Sequence, residues 1–474
     1  MPVLPAKGKT FEISVPVIVV GAGAAGMTAA LAARDGGAEV MLLERDHRPR
    51  GSTAMSQGNI AAAGTKSQKA AGIDDSGEIF ARDIMALTRG ATDAHLARVF
   101  ADASGATIDW LVDKHGIPLA VDPDWGAALG HSRSRIHSVP THTGTELISV
   151  LGNAAEQAGI DLVTDAHVTD VFANEGGHVR GVRFKRPDGS VEDVGCDALI
   201  LTTCGFGANR DMVKKFIPEM GDALYHGHEG NEGEGIQWGM ALGAATADMT
   251  AFQGLGALAD PHRVLIHYNI ILRGGLIANV KGERFTDEST DISGMGRKVT
   301  AQPEGLAWFI FDQRLMDMVS KYEETKEAVQ IGAFRRAADT KELAALSKMP
   351  LAALETTLAE TQAMAAGKAK DPHGRNFTLH PALVGPPWWA VRVCGALFHT
   401  QGGLVIDENA QVCRPDKTRL PNLFAAGGTA RSTSGPADWG YIPAAGLFTA
   451  GTQGRLAGEA AARLVSGRKR AAAE

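Results

Sequence analysis

The sequence contains few cysteines and none of the cysteine motifs that bind metals or carry electrons. Its four cysteines, at positions 196, 204, 394 and 413, form neither a CxxC pair nor a zinc-ligand pattern. A haem-attachment motif and an iron–sulfur cysteine set are also missing. These absences favour a reducing compartment, so we expect a cytoplasmic protein that has no metal site.

The sequence also lacks an excess of positive charge and a long uninterrupted apolar segment. Its formal net charge is −7 at pH 7, which argues against nucleic acid or an anionic membrane as a partner. Residues 13–33 are strongly apolar, but Gly21, Gly23 and Gly26 interrupt them. These glycines predict a strand, a turn and a helix start instead of a membrane span. The opening residues have no apolar core of a signal peptide.

Glycine is abundant by contrast, and its first cluster lies inside a strand–helix–strand pattern. The chain has 57 glycines, as expected for a fold with many tight turns and close backbone approaches. Val17–Val20 are continuously apolar, which is typical of a parallel strand buried on both faces. Ala24–Arg34 predict a helix, and Val40–Leu43 predict the next strand. The resulting βαβ unit is typical of dinucleotide-binding folds.

A nucleotide-binding fingerprint, Gly21-x-Gly23-x-x-Gly26, occupies the turn of this unit. The first glycine forms the turn, the second lets the backbone approach a pyrophosphate, and the third permits close packing of helix on strand. Backbone N–H groups at the helix start, around Ala24 and Ala25, add positive charge there. A tight turn without a ligand is the alternative interpretation.

An acidic residue follows at the end of the second strand. Glu44 lies 18 positions after Gly26, where its carboxylate is expected to accept hydrogen bonds from the adenosine ribose. Arg45, its neighbour, is predicted to lie at the same end of the cofactor. Because NAD and FAD share this fingerprint, these residues do not distinguish the two cofactors.

The next segment, residues 47–65, is rich in small and hydroxyl side chains. It resembles the second FAD-contacting loop of the fumarate reductase and succinate dehydrogenase flavoprotein superfamily, and the resemblance implies that FAD is the cofactor. The matching small residues are Gly51, Ser52, Thr53, Ser56 and Gly58. Some members attach FAD through a histidine in this loop, whereas this chain has Ser52 at the corresponding place. We therefore expect non-covalent FAD.

Further stretches resemble the same superfamily in the expected order. They are residues 197–219, 230–249, 399–412 and 420–464. The resemblance implies a helix that starts near Ala445, with its positive end directed at the flavin. It also implies six further FAD contacts, at Val168, Gly205, Gly428, Thr429, Gly446 and Leu447.

The same order of segments predicts the domain organisation. A chain of 474 residues is too long for one simple core, so two domains are expected. We predict an α/β fold in which residues 12–247 and 392–467 form a discontinuous Rossmann-like FAD-binding domain. Residues 248–391 mix short strands and polar helices, and they are predicted to form an inserted α+β cap domain.

The chain departs from the fumarate reductase pattern at four places that bear on the substrate, one of which is a family histidine that is missing from residues 251–260. The family's acid arginine corresponds to Ile292 or a neighbour in the stretch 287–293. Of its E-x-x-R proton relay, only Arg273 is retained. The arginine that binds the substrate carboxylate corresponds to Tyr441. Since a dicarboxylate would lose its main anchor, we do not expect fumarate or succinate as the substrate.

With a tyrosine at position 441, the segment before the last helix resembles that of the 3-ketosteroid Δ1-dehydrogenase branch of the superfamily. There the phenol binds a carbonyl oxygen and acidifies the adjacent C–H, while a hydride leaves for flavin N5. His399 matches a family histidine that contacts substrate. Tyr268, in a predicted strand over residues 267–275, and Arg273 complete the candidate catalytic residues. A packed tyrosine and a core histidine are the alternatives for Tyr441 and His399.

Three functions remain open from the sequence. The first is α,β-dehydrogenation of a ketone, or the reverse reduction of an alkene, with an unidentified electron acceptor or donor. The second is reduction of an unsaturated monocarboxylate held by Arg273 or by Arg133 and Arg135. The third is a flavin electron carrier without a substrate site. The segment containing His131, Arg133, Arg135 and His137 is expected either to bind an anion or to form a solvated loop.

Overall fold

The computed structural model describes residues 3–127, 129–377 and 383–473. The strands, in chain order, are β1 Val3–Pro5, β2 Ile13–Val20, β3 Val40–Leu43, β4 Ile60–Ala61, β5 Ala120–Val121, β6 Ile136–Ser138, β7 Asp161–Val163, β8 His167–Ala173, β9 Val179–Lys185, β10 Val191–Leu201, β11 Leu224–Tyr225, β12 Thr246–Ala247, β13 Phe252–Ala259, β14 Leu276–Asn279, β15 Leu306–Asp312, β16 Arg335–Ala337, β17 Trp388–Thr400, β18 Gly403–Leu404, β19 Gln411–Cys413 and β20 Arg419–Ala425. The helices are α1 Ala24–Asp35, α2 Gly51–Ala54, α3 Lys66–Ala70, α4 Gly77–Leu87, α5 Ala94–His115, α6 Gly144–Gln157, α7 Arg210–Phe216, α8 Glu234–Ala241, α9 Asn269–Leu272, α10 Met295–Thr300, α11 Gln313–Val319, α12 Glu323–Gln330, α13 Thr340–Ser347, α14 Leu351–Ala365 and α15 Ala445–Ala473.

The chain divides into two compact units. The first comprises residues 1–217, 227–252 and 399–474, and the second comprises residues 218–226 and 253–398. Residues 218–226 group with the second unit, where β11 within them pairs in parallel with β17. The predicted domain boundaries, after residues 247 and 391, stay a prediction.

The first unit is built on a nine-stranded sheet with the order β1-β8-β9-β10-β2-β3-β7, and β20 pairs with both β10 and β19. Within the run β10-β2-β3-β7, each strand is parallel to the next. This agrees with the parallel strand predicted from the apolar residues Val17–Val20, which are buried. Strand β10 is antiparallel to β9 over Val191–Gly195 and parallel to β20 over Leu199–Leu201. The predicted α/β class is therefore confirmed.

Helices α1 and α15 pack together through small residues. A Cβ atom added at Gly454 would lie 2.5 Å from the Ala25 carbonyl oxygen, and one at Gly458 would collide with the Ala29 carbonyl oxygen. Because these glycines have no side chains, the backbones of the two helices approach closely beside the sheet. The predicted start of the last helix near Ala445 is confirmed.

The second unit contains a six-stranded sheet in which β17 pairs with β11, β13, β15 and β16, and β14 pairs with β15. Strand β15 is antiparallel to both of its neighbours, β14 and β17. Buried aromatic residues from β15, Phe309 and Phe311, contribute to the core of this unit. The unit also contains helices α9–α14, in agreement with the predicted mixture of strands and helices.

Short breaks separate some neighbouring elements of the first unit. Residues 77–115 form the two helices α4 and α5, because the Asp93 side chain accepts a hydrogen bond of 3.1 Å from the Leu96 N–H and starts α5 afresh. Strands β7 and β8 are separated at Asp165, whose φ of 53° does not fit a strand, so β7 pairs with β3 and β8 with β9. In the second unit one local prediction was wrong, because the strand predicted over 267–275 contains the short helix α9.

Within residues 3–127, 129–377 and 383–473, no helix combines the length and the apolar character needed to cross a bilayer. In the same ranges, no three His, Cys, Asp or Glu side chains are grouped in a way that could hold a metal ion.

Candidate functional site

The glycine turn between β2 and α1 has no room for a side chain at Gly21 or at Gly26. Gly21 adopts a φ of 101°, and a Cβ atom there would lie 2.5 Å from the Thr202 carbonyl oxygen. A Cβ atom at Gly26 would collide with the Gly21 carbonyl oxygen and lie 2.8 Å from Thr202 Oγ1. We call Gly21, Gly23 and Gly26 the glycine cradle. The exposed backbone at a helix start provides N–H donors for an anion, so the geometry fits a pyrophosphate.

The second predicted loop contacts the glycine cradle. Thr53, in α2, accepts a hydrogen bond of 2.9 Å at Oγ1 from the Ala24 N–H, one residue before Ala25 in the first turn of α1. A Cβ atom at Gly23 would lie 3.4 Å from the same Oγ1 atom. The α2 segment, which begins at Gly51, is thus fixed beside the start of α1.

The remainder of this loop is fixed by its own hydrogen bonds. Ser56 Oγ donates to the Thr53 carbonyl oxygen at 2.7 Å and accepts from the Gly58 N–H at 3.1 Å. Gly58 has a φ of 68°, and a Cβ atom there would lie 2.7 Å from the Thr143 carbonyl oxygen. Thr53, Ser56 and Gly58 therefore form an ordered turn against the segment that starts α6.

Glu44 lies at the end of β3 with its carboxylate held by backbone amides. Oε2 accepts from the Ala22 N–H at 2.8 Å, and Oε1 accepts from the Asp46 N–H at 3.0 Å. Burial raises the pKa of Glu44, and the two amides oppose that shift. Each oxygen retains a second lone pair, so the carboxylate can also accept ribose hydroxyls. Arg45 packs its guanidinium against Gly230, where a Cβ atom would collide with it.

Ser52 belongs to a small polar cluster. Its Oγ accepts a hydrogen bond of 2.9 Å from Asn231 Nδ2 and lies 3.4 Å from Cys204 Sγ. Burial raises the pKa of the Cys204 thiol, which keeps it protonated. Cys204 also accepts, through its carbonyl oxygen, a hydrogen bond of 3.0 Å from Thr429 Oγ1.

Gly205, Gly428 and Thr429 come together although they are distant in sequence. A Cβ atom at Gly428 would lie 2.8 Å from the Gly205 nitrogen, and one at Gly205 would collide with Thr400 Oγ1. The ends of β10 and β20 bring them together, because these two strands are parallel neighbours. Val168 lies apart from them in β8, where it is buried opposite Phe184 of β9.

Two candidate catalytic side chains meet at the start of α15. A Cβ atom at Gly446 would lie 3.2 Å from His399 Cε1, 3.4 Å from His399 Nε2 and 3.9 Å from Tyr441 Oη. The two rings lie edge-on, with their centroids 5.7 Å apart. We call His399, Tyr441 and Gly446 the Tyr441 corner. Leu447, also predicted at the flavin, follows Gly446 in the first turn of the helix.

Both ring side chains of the Tyr441 corner are uncharged near pH 7. Burial raises the pKa of Tyr441 to about 12, against a smaller effect of the Gly446 backbone. Burial lowers the pKa of His399 to about 4, against a smaller effect of the Thr400 backbone. A phenol and a neutral imidazole can donate hydrogen bonds to an oxygen, but they cannot neutralise a carboxylate.

Sequence reasoning missed Gln401, which contacts the candidate histidine directly. Gln401 Nε2 lies 2.7 Å from His399 Nδ1, and Gln401 Oε1 accepts a hydrogen bond of 3.1 Å from Ser434 Oγ. The available signal was a polar residue at the variable position of the T-x-G-G motif, two places after His399.

The other two catalytic candidates lie in the second unit at opposite ends of α9. Tyr268 is 5% exposed, and its hydroxyl donates to the Glu288 carbonyl oxygen at 3.0 Å. Burial, with nearby carboxylates, raises its pKa well above the ordinary tyrosine value. Arg273 follows the helix and is exposed. The structure therefore does not bring the side chains of Tyr268 and Arg273 together as it does those of His399 and Tyr441.

The segment with His131 and Arg135 is neither a solvated loop nor an open anion site. Arg135 is fully buried and donates to both carboxylate oxygens of Asp75, at 3.0 and 2.9 Å. His131 accepts from Arg135 at Nδ1, at 3.2 Å, and donates from Nε2 to the Pro443 carbonyl oxygen at 3.0 Å. Arg133 is exposed and donates to the Asp74 carbonyl oxygen. This segment supports the turn that precedes α15.

A family model described as an FAD binding domain matches residues 16–440. The NADH:fumarate oxidoreductase of Klebsiella pneumoniae (strain 342) is 29% identical over 456 residues, which cover 96% of this chain and 48% of that protein. The chain thus spans about half the length of that relative. The fumarate reductase (cytochrome) of Shewanella frigidimarina is 30% identical over 453 residues, which cover 95% of this chain and 77% of that protein.

Two solved structures share the fold over nearly the whole chain. The open conformation of a flavocytochrome c3 fumarate reductase has a TM-score of 0.80 and 28% identity, covering 97% of this chain and 80% of that one. The 3-ketosteroid-Δ4-(5α)-dehydrogenase from Rhodococcus jostii RHA1, in complex with 4-androstene-3,17-dione, has a TM-score of 0.77 and 25% identity, covering 98% of this chain and 100% of that one.

Proposed function

The chain belongs to the FAD binding domain family, with fumarate reductase flavoproteins among its relatives, and on this premise we propose that it transforms a carbon–carbon bond next to a carbonyl group. FAD is its cofactor, and the chain is an FAD-dependent oxidoreductase. When bound, FAD supplies or accepts the hydride at flavin N5. The proposed reaction is α,β-dehydrogenation of a ketone or the reverse reduction of an activated alkene.

We assign FAD to the surfaces from which side chains are excluded. The glycine cradle, with Ala24 and Ala25, would hold the pyrophosphate, and Glu44 and Arg45 would hold the adenosine end. The close approach of backbone atoms at Gly21 and Gly26 supports this assignment. The remaining proposed contacts are Gly51, Ser52, Thr53, Ser56, Gly58, Val168, Gly205, Gly428, Thr429, Gly446 and Leu447.

Non-covalent attachment is part of the proposal. The residue at the corresponding place is Ser52, whose hydroxyl is held by Asn231 and Cys204. Acid precipitation should therefore release FAD into the supernatant, which absorbance and chromatography would detect. Flavin that stays with the precipitated chain would overturn this point.

The carbonyl preference rests on the Tyr441 corner. The three atoms nearest to a Cβ at Gly446 belong to His399 and Tyr441, two neutral side chains. The Tyr441 hydroxyl would donate to the carbonyl oxygen of the substrate and stabilise the negative charge that develops when the α-proton leaves. Such a donor needs no positive charge, in contrast to the arginine that a carboxylate requires.

Arg273 and Tyr268 stay as proposed contributors from the second unit. An exposed arginine such as Arg273 suits the exchange of a proton with solvent or the binding of an anionic substrate group. The Tyr268 hydroxyl already donates to the Glu288 carbonyl oxygen. We therefore propose that Tyr268 contributes by packing, and not by donating a hydrogen bond to the substrate. A separate electron donor or acceptor completes the cycle, and the four cysteines, none of which forms a disulfide, favour a reducing location such as the cytoplasm.

Reduction of an unsaturated carboxylate is the second candidate. The relatives named as fumarate reductases favour it. The replacement of the carboxylate arginine by Tyr441 disfavours it, and Arg135 is fully paired with Asp75 and Asp83.

Anaerobic titration of the FAD-bound protein separates the candidates. Steroid and cyclic ketones should bleach the flavin absorbance, whereas enones should reoxidise the dithionite-reduced protein. Fumarate, assayed with reduced viologen, should react at least about 10²-fold more slowly than the best enone, the factor expected when one charge-stabilising group is lost. Fumarate turnover equal to or above enone turnover would place the carboxylate function first.

A further inference from the structure

We infer that Gln401, oriented by Ser434, is a positioning residue that keeps the proton of His399 on Nε2. In this tautomer, His399 and Tyr441 present two hydrogen-bond donors beside Gly446. The inference rests on the proposed function, and it refines that function because it makes His399 a hydrogen-bond donor and not the base that removes the α-proton.

The backbone of Gln401 is fixed on both sides. Its N–H donates to the Ala251 carbonyl oxygen at 2.9 Å, and its carbonyl oxygen accepts from the Ser432 N–H at 2.9 Å. The residue is only 3% exposed. Its side chain is thus held in a packed environment, where a change of rotamer would disrupt buried hydrogen bonds.

A chain of buried hydrogen bonds holds the Gln401 amide. Ser434, which is 2% exposed, donates from Oγ to Gln401 Oε1 at 3.1 Å, and Ser432 Oγ lies 3.3 Å from Ser434 Oγ. With its oxygen occupied in this way, the amide turns its NH2 group to His399 Nδ1 at 2.7 Å. An amide NH2 group only donates, so Nδ1 must accept and Nε2 must carry the proton.

The protonated nitrogen lies beside Gly446, where Tyr441 Oη also lies. Nε2 lies 3.4 Å from the position of a Cβ at Gly446, and Tyr441 Oη lies 3.9 Å from the same position. Two donors directed at one region are the arrangement that stabilises an enolate-like oxygen. A histidine base would need an unprotonated Nε2, which the Gln401 contact disfavours.

The tautomer can be measured directly by nitrogen NMR of the FAD-bound protein labelled with ¹⁵N-histidine. His399→Gln, which lacks the ring, assigns the His399 signals. We expect an unprotonated Nδ1 and a protonated Nε2 in the unsubstituted protein. Gln401→Glu places an acceptor on Nδ1, so neutral His399 should carry its proton there instead. A protonated Nδ1 in the unsubstituted protein would overturn the inference.

Turnover of Gln401→Glu should acquire a characteristic pH dependence. The added carboxylate raises the pKa of His399 above about 4. Below the raised pKa both ring nitrogens are protonated and Nε2–H still donates; above it the proton stays on Nδ1, and kcat should fall by about 10²-fold, as for loss of one oxyanion donor. Among the described residues of this unit, Tyr441 is the titratable side chain whose ring contacts His399. Its pKa is about 12, so it does not titrate in the pH range of this experiment.

Gln411→Glu is the matched control, because it makes the same charge change at another glutamine. Gln411 lies in β19, is half-buried and donates a hydrogen bond to the Leu420 carbonyl oxygen. It should keep the unsubstituted pH profile. Ser434→Ala should give a mixture of His399 tautomers and a smaller loss of kcat. A Gln401→Glu profile identical to that of Gln411→Glu would contradict the positioning role. The NMR result needs no substrate, so it stands or fails separately from the ketone reaction.

Discussion

The glycine cradle acts through its backbone, whereas the Tyr441 corner acts through its side chains. In the glycine cradle, Gly26 approaches the Gly21 carbonyl oxygen so closely that no side chain fits. In the Tyr441 corner, the features that matter are the side chains of His399 and Tyr441 and the contact from Gln401. A binding surface made of backbone tolerates almost no substitution, whereas a corner made of side chains can change its substrate through single replacements.

The largest effect is expected from Gly26→Ala. The added Cβ would collide with the Gly21 carbonyl oxygen and lie 2.8 Å from Thr202 Oγ1. Forcing the helix and strand apart should cost at least about 1–3 kcal/mol of stability and should abolish FAD retention. The ratio of flavin to protein absorbance after gel filtration would measure the loss.

Gly467→Ala is the control for that substitution, because Gly467 also lies in a helix and a Cβ there meets no atom within 4 Å. It should retain FAD fully. Equal retention by Gly26→Ala would show that the two backbones can separate without disturbing the cofactor, and it would remove the distinction between backbone and side-chain surfaces.

Tyr441→Phe should have the next largest effect, and it should reduce turnover without changing FAD binding or stability. The substitution preserves the ring and removes the hydroxyl, so kcat and kcat/KM should both decrease by about 10²–10³-fold. FAD content and the melting temperature should stay close to those of the unsubstituted protein. A variant that stays within a few-fold of full activity on a ketone would mean that Tyr441 only packs.

The two regions also differ in how far the sequence predicts them. The fingerprint at Gly21 is local, and its spacing follows from strand and helix geometry, so the end of β2, both ends of β3 and the start of α1 were predicted within a residue. The approach of His399 to Tyr441 depends on where β17 ends and α15 begins, which local patterns do not encode. Family resemblance identified both residues.

Residues without a local pattern were missed or misread. Gln401 matters because of a contact with Ser434, which lies more than thirty positions later. Arg135 was expected either to bind an anion or to lie in a solvated loop, yet Asp75 and Asp83 pair with it in the interior. For α9, the apolar run over Ile270–Leu272 is too short for periodicity to distinguish a helix from a strand.

Glu44→Ala should give the smallest of these effects, because Glu44 combines features of both regions. Its side chain would hold the ribose, but it is itself fixed by the backbone N–H groups of Ala22 and Asp46. Removing the carboxylate would eliminate charge-assisted hydrogen bonds worth about 1.5–3 kcal/mol each, which corresponds to at least about 10-fold weaker FAD binding. At saturating FAD, kcat should stay unchanged, since Glu44 is proposed to hold the adenosine end of FAD and not the substrate. Glu44→Gln, which keeps one acceptor oxygen, should lose less affinity than Glu44→Ala, and isothermal titration of the apoprotein with FAD would rank the two. If both variants bind FAD as tightly as the unsubstituted protein, Glu44 serves only to hold its own backbone, and the adenosine end of the site depends on backbone as much as the glycine cradle does.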